Sequence, residues 1–76
     1  MTEPTQDLDL KGLQCPLPIL RTKKALKELD SGDVIRVEAT DPGSVKDFDS
    51  FCNQTGNKMV EQAESDGVYT FTIRKK

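Results

Sequence analysis

The arrangement of apolar and polar positions divides the chain into six elements. From Gln6, Leu8 and Leu10 share one side while Asp7 and Asp9 take the other, which predicts a short half-buried strand ended by Gly12. From about Pro16 to Leu29, residues Ile19, Thr22, Leu26 and Leu29 recur at helical spacing and form an inward stripe. Proline in the first turn fits such a helix, because the amides there have no partner within it. Ser31-Gly32-Asp33 closes the helix, and Val34 to Thr40 reads as a second strand with Arg36 and Glu38 on its wetter side. Asp41-Pro42-Gly43-Ser44 then opens a second helix, with Asp41 as N-cap and Pro42 as the first helical residue. Its stripe is Val45, Phe48, Cys52 and Thr55, supported by Phe51, and Gly56 is the stop. Lys58 to Glu64 and Val68 to Arg74 are two further strands, joined by the tight-turn sequence Ser65-Asp66-Gly67. In the last of them Tyr69, Phe71 and Ile73 alternate with Thr70 and Thr72.

The order β-α-β-α-β-β predicts an α+β fold. Successive right-handed strand-helix-strand crossovers in one direction put both helices on one face. The expected architecture is a two-layer α/β sandwich, a four-stranded mixed sheet with two helices on one side. Residues 1–5 are expected to be a disordered lead and residues 6–76 a single domain. A chain of 76 residues buries only about 60% of its unfolded surface, so its core is thin.

Composition narrows the chemistry. Charged residues make up 32% and hydrophobic residues 34%, the net charge is -2, and the mean hydropathy is -0.60. No apolar run approaches the roughly 20 residues that span a bilayer. The opening Met1-Thr2-Glu3-Pro4 is acidic and polar, unlike a signal peptide, and a cytoplasmic protein is expected. A basic excess, the usual footprint of nucleic-acid binding, is missing. With no histidine there is no Ser-His-Asp or Cys-His nucleophile system and no His-ligated metal. Two cysteines with 36 residues between them make neither a zinc cluster nor a CxxC redox pair within one chain, and no metal or cofactor is expected.

Cys15 stands where the first strand-loop gives way to a helix. The positive end of a helix dipole stabilises a thiolate, the nucleophilic form of the residue. With Cys15 as N-cap, Pro18 has no amide hydrogen to offer, which leaves Leu17 and Ile19 as donors and predicts only moderate activation. The prolines are expected to stiffen the loop. The competing reading of Cys15 is a small buried apolar residue, the usual fate of free cysteines. Cys52 falls on the inward stripe of the second helix and is expected to serve packing; a Cys15–Cys52 disulfide is the weaker alternative. Leu17 and Leu20 project from the first helix beside Arg21, Lys24 and Lys27, giving an apolar and basic face suited to acidic partners or an ordinary solvated surface. Asp41 has a structural role as N-cap and, secondarily, a place in partner binding.

The run Gly12-Leu13-Gln14-Cys15-Pro16-Leu17-Pro18 resembles the C-P-x-P signature of the TusA/SirA/YedF family of small sulfur-carrier proteins. The likeness continues through Leu8-Asp9-Leu10-Lys11-Gly12, Gly32-Asp33, Asp41-Pro42-Gly43-Ser44 with Asp47-Phe48, and Thr55-Gly56-Asn57, from about residue 7 to 75. The resemblance implies a fold like the C-terminal domain of a bacterial translation initiation factor. It further implies that Cys15 accepts sulfane sulfur as a persulfide from a cysteine desulfurase or rhodanese, supported by Gly12, Pro16 and Pro18. The sulfur then passes to a cysteine of an acceptor, often DsrE-like, for tRNA thiolation, molybdenum-cofactor biosynthesis or sulfur oxidation. On this reading the protein is a monomeric carrier of the sulfurtransferase type rather than a small-molecule enzyme. It requires no cofactor, nucleic acid or membrane. Two other readings stay open: a regulatory module that binds RNA or protein, and a thiol redox or selenium-handling protein.

Overall fold

A computed structural model describes residues 4–14 and 16–76. The elements run β1 (Gln6–Leu10), α1 (Leu17–Lys27), β2 (Val34–Ala39), α2 (Ser44–Thr55), β3 (Lys58–Ser65) and β4 (Val68–Arg74). The sheet order is β1-β2-β4-β3, with β1 and β2 parallel and β4 antiparallel to both its neighbours. Both helices pack against each other and against the same sheet. The α+β two-layer architecture read from the sequence is the one observed.

Alternation in the strands decides which side is buried. Leu8 lies opposite Val37, Leu10 opposite Ala39, Val37 opposite Phe71 and Ile35 opposite Ile73, all on the helix side. Ile35, Val37, Ala39, Phe48, Phe71 and Ile73 are completely inaccessible. Phe48 of α2 stacks on Phe71 of β4 with ring centroids 4.5 Å apart and planes at 19°, fixing α2 to the centre of the sheet. The other side of the sheet is polar: Arg36 bonds Asp7 at 2.7 Å, and Lys11 lies 3.4 Å from Asp9 and 3.7 Å from Glu38. Such exposed, solvent-screened pairs add little to stability.

The boundaries differ in instructive ways. Thr5, placed by the sequence pattern in the lead, donates its N–H to the Val34 carbonyl at 2.6 Å, and its hydroxyl accepts the Val34 N–H. The first helix is shorter than the stretch from Pro16 to Leu29: Pro16 is its N-cap, Glu28 its C-cap, and Leu29 lies beyond it. Lys75 closes that end by donating from Nζ to the Leu29 carbonyl. The stripe of α1 is also shifted. Pro18, Thr22, Ala25 and Leu26 are buried, whereas Ile19 and Leu29 are only half-buried. Asp41 is not the N-cap of the second helix and Pro42 is not helical; Gly43 is the N-cap and Ser44 the first residue. Thr55, assigned to the inward stripe, is exposed at the last turn, where its hydroxyl donates to the Phe51 carbonyl. The second strand ends at Ala39 rather than Thr40, and the third runs to Ser65 rather than Glu64. The β3–β4 turn is as expected, with Asp66 and Gly67 both at positive φ (52° and 79°), the geometry of a two-residue hairpin.

Candidate functional site

Two loops leave the sheet at the carboxyl ends of the parallel strands β1 and β2 and lead into the two helices. They are tied together: the Gly12 N–H donates to Thr40 Oγ1 at 2.9 Å. Gly12 has φ of +86° with nothing near the position a Cβ would take, so backbone conformation rather than space requires glycine there. Leu13 donates its N–H to the Leu10 carbonyl and Leu17 donates to Gln14, which folds the loop tightly up to the helix. Cys15 lies outside the described residues.

The head of α1 corrects one part of the sequence reading. With Pro16 as N-cap and no side-chain cap, the first bond of the helix is Leu20 N–H to the Pro16 carbonyl at 3.1 Å. The Leu17 N–H, expected to face the sulfur, is already committed to Gln14 at 2.9 Å. Pro18 has no N–H, so the Ile19 amide remains of the donors considered. Pro18 itself is buried, and its carbonyl accepts the Thr22 hydroxyl at 2.8 Å. It is a core residue as well as part of the motif. The spacing Pro18, Thr22, Ala25, Leu26 is readable as a stripe, but a proline is seldom counted as an inward position of a helix. A proline in the first turn brings apolar surface to the core without leaving an unpaired amide.

The exposed flank of α1 is as expected. Leu17 is 42% and Leu20 54% accessible, the exposed large apolar side chains among the described residues, and Arg21, Lys24 and Lys27 are exposed with them. Asp41 lies at the second loop, half-buried, with Oδ1 accepting the Gly43 N–H at 3.2 Å and its carbonyl accepting the Ser44 N–H. It braces the turn ahead of α2 rather than capping the helix. Asp47 takes the acidic place in the first turn of α2, where the helix dipole favours a carboxylate, while the first turn of α1 holds no acid.

Cys52 is a free thiol with 5% accessibility. Burial, reinforced by the nearby Asp49 carboxylate, pushes its pKa up to about 11. At neutral pH it stays protonated and is no nucleophile. Among the described residues no cluster of three or more His, Cys, Asp or Glu side chains could hold a metal ion, and no helix is long and apolar enough to cross a membrane.

The family model described as Sulfurtransferase TusA matches residues 6–75, nearly the whole chain. This chain belongs to the TusA family. Among the relatives of this TusA-family chain, the sulfur carrier protein TusA of Allochromatium vinosum is 56% identical over 75 residues, covering 99% of both chains. The sulfur carrier protein TusA of Pseudomonas putida (strain W619) is 40% identical over 78 residues, with 100% of this chain and 98% of that one covered. The crystal structure of a SirA-like protein from Desulfitobacterium hafniense superimposes with a TM-score of 0.82 at 33% identity, covering 92% of this chain and 96% of that chain.

Proposed function

We propose that this TusA-family protein is a sulfur-relay carrier with Cys15 as the cysteine that holds the sulfur. One observation carries the choice of residue. The chain has two cysteines, and Cys52 is buried with its pKa raised to about 11, which leaves Cys15 as the candidate nucleophile. Its place in the sequence, one residue ahead of the N-cap of a helix whose first turn lacks acid, favours an anionic sulfur there.

The chemistry is exchange at sulfur. The Cys15 thiolate attacks the outer sulfur of a donor persulfide; the donor S–S bond breaks, a donor thiolate leaves, and Cys15 becomes the persulfide. An acceptor thiolate then attacks that outer sulfur, breaks the new S–S bond and releases Cys15 as thiolate. Each step forms one S–S bond and breaks one, so no electrons are gained or lost overall. Buried, protonated Cys52 offers no resolving thiol that would expel the cargo as a disulfide.

The donor in this reading is a cysteine desulfurase or rhodanese, and the acceptor a cysteine-bearing protein of the DsrE-like type, met by a monomeric carrier in the cytoplasm. Gly12, Pro16 and Pro18 shape the loop, while Leu17, Leu20, Arg21 and Lys24, with Asp41 at the adjoining turn, form the contact surface. Incubation with a cysteine desulfurase and cysteine, followed by intact mass without reductant, tests the site: wild type gains one sulfur atom that reductant removes, and Cys15→Ser gains none. Loading of Cys15→Ser rejects the assignment. Leu20→Asp with Lys24→Glu slows transfer to the acceptor; an unchanged rate removes that face from the reading.

A further inference from the structure

The outer seam between α1 and α2 is a crevice with opposite charge at its two ends. Beside the motif it widens to about 270 Å³ between Pro16 and Ile19 on α1 and Asp47 and Gln54 on α2. Toward the far end it holds about 200 Å³ between Lys23, Leu26 and Lys27 on α1, Thr55 on α2, and Lys75. Phe51 lines both parts and joins them. The near end carries one carboxylate, Asp47, and the lining of the far end carries three lysines and no acid.

Helix dipoles account for part of this pattern. Asp47 is in the first turn of α2 and Lys27 in the last turn of α1, where those signs are favoured. Lys75 holds the Leu29 carbonyl. Lys23 has no such structural role. It precedes the last turn, and at i, i+4 from Lys27 it repels a like charge on the same helix face. The far end is therefore an electropositive rim around the apolar floor of Leu26 and Phe51. Along that floor Ile19 and Leu26 are seven residues apart, about 10 Å on a helix, which is the separation of anchors at i and i+7 on a helix lying in a groove.

We propose that this crevice docks an amphipathic helix of a protein that exchanges sulfur with Cys15, oriented with its acidic end over Lys23 and Lys27 and its basic end at Asp47 beside the motif. The proposal rests on the carrier reading and adds the chemistry of the partner and its direction. Charge at both ends sets the orientation, apolar contact with Ile19, Leu26 and Phe51 supplies the hold, and the reverse orientation places like charges together at each end.

A designed helical peptide of about three turns is the probe, with Glu in its first turn, Leu at i, i+3 and i+7, and Lys in its last turn. Titrated into the isotopically labelled protein, it shifts the amides of Ile19, Ser50, Phe51, Gln54 and Asn57. Lys23→Glu with Lys27→Glu weakens binding about tenfold or more, and a peptide with Lys at its first turn in place of Glu restores it. Both lysines are exposed, and the amide spectrum of the double variant reports that the fold is retained. Shifts confined to another surface, equal affinity for the matched and charge-swapped peptides, or occupation of the crevice by a second copy in sedimentation each overturn the proposal. Peptide binding does not involve the thiol, so Cys15→Ser binds the peptide as wild type does. Failure of wild type to take up sulfur while the peptide still docks counts against the carrier reading alone.

Discussion

The two helices lie side by side on one sheet but do different work. α2 is fixed by large side chains: Phe48 is wholly inaccessible, stacked on Phe71, with Phe51 and Cys52 beside it. α1 is held by Pro18, Thr22, Ala25 and Leu26, mostly small groups, and turns Leu17 and Leu20 to solvent. The α2 head has its own carboxylate, Asp47, whereas the first turn of α1 has none. One helix secures the fold, and the other is left electrostatically and sterically open next to the cysteine motif.

The sharpest way to break this contrast is to exchange the fates of the two thiols. Cys15→Ser abolishes sulfur uptake in the intact-mass assay, while Cys52→Ala loads like wild type; uptake that depends on Cys52 would reverse the division. Next in size is the difference in anchoring. Phe48→Ala costs about 3–5 kcal/mol in a urea titration, because a stacked aromatic leaves a cavity at the centre of the sheet. Leu20→Ala costs less than about 0.5 kcal/mol, because more than half of that side chain is already in water. Similar losses at the two positions would mean that α1 is as deeply anchored as α2.

Cys52 supplies a pH test of intermediate size. An acid whose folded pKa is raised is protonated in the native state while the unfolded chain ionises, so stability is complete below the unfolded pKa and falls as pH rises through the window. Here the window runs from about 9 to about 11. The loss approaches about 2 kcal/mol at its upper end. The readout is the difference between wild type and Cys52→Ala measured by denaturant unfolding at each pH. A slope shared by both proteins would mean that the loss does not come from Cys52.

Most of the fold is legible in the sequence because β1, β2 and β4 alternate apolar and polar positions and turn signals separate the elements. Gly67 after Asp66 and Gly56 after Thr55 mark ends that the structure reproduces. The pattern misleads at the helix heads, where local hydrogen bonds compete. Asp-Pro ahead of a helix reads as cap and first turn, yet Asp41 spends its carboxylate on the Gly43 amide, and the helix starts two residues later than Pro42. Pro18 reads as a loop stiffener, whereas its ring is packed in the core. The exposed leucines and the buried Cys52 follow directly from helical spacing. The crevice does not, because it depends on how residues of α1 and α2 meet across the seam, which no pattern within one element encodes.

The smallest test addresses the openness of the α1 head and gives two effects of opposite sign. Leu17→Asp puts a carboxylate in the first turn of α1, at a site 42% exposed, matching what Asp47 provides for α2. A charge there interacts favourably with the helix dipole by about 0.3–1 kcal/mol, so the protein becomes slightly more stable at neutral pH. The same charge stands two residues from Cys15 and opposes its ionisation. The midpoint of iodoacetamide alkylation against pH therefore moves upward, by less than about one unit. Leu17→Asn separates charge from size: it removes the same apolar surface and leaves the alkylation midpoint at the wild-type value. Raised salt shrinks the shift in the aspartate variant, because the interaction is between exposed groups. An aspartate that stabilises the helix without moving the midpoint would show that the dipole of α1 does not act on the sulfur, and the anionic form would then need a different source.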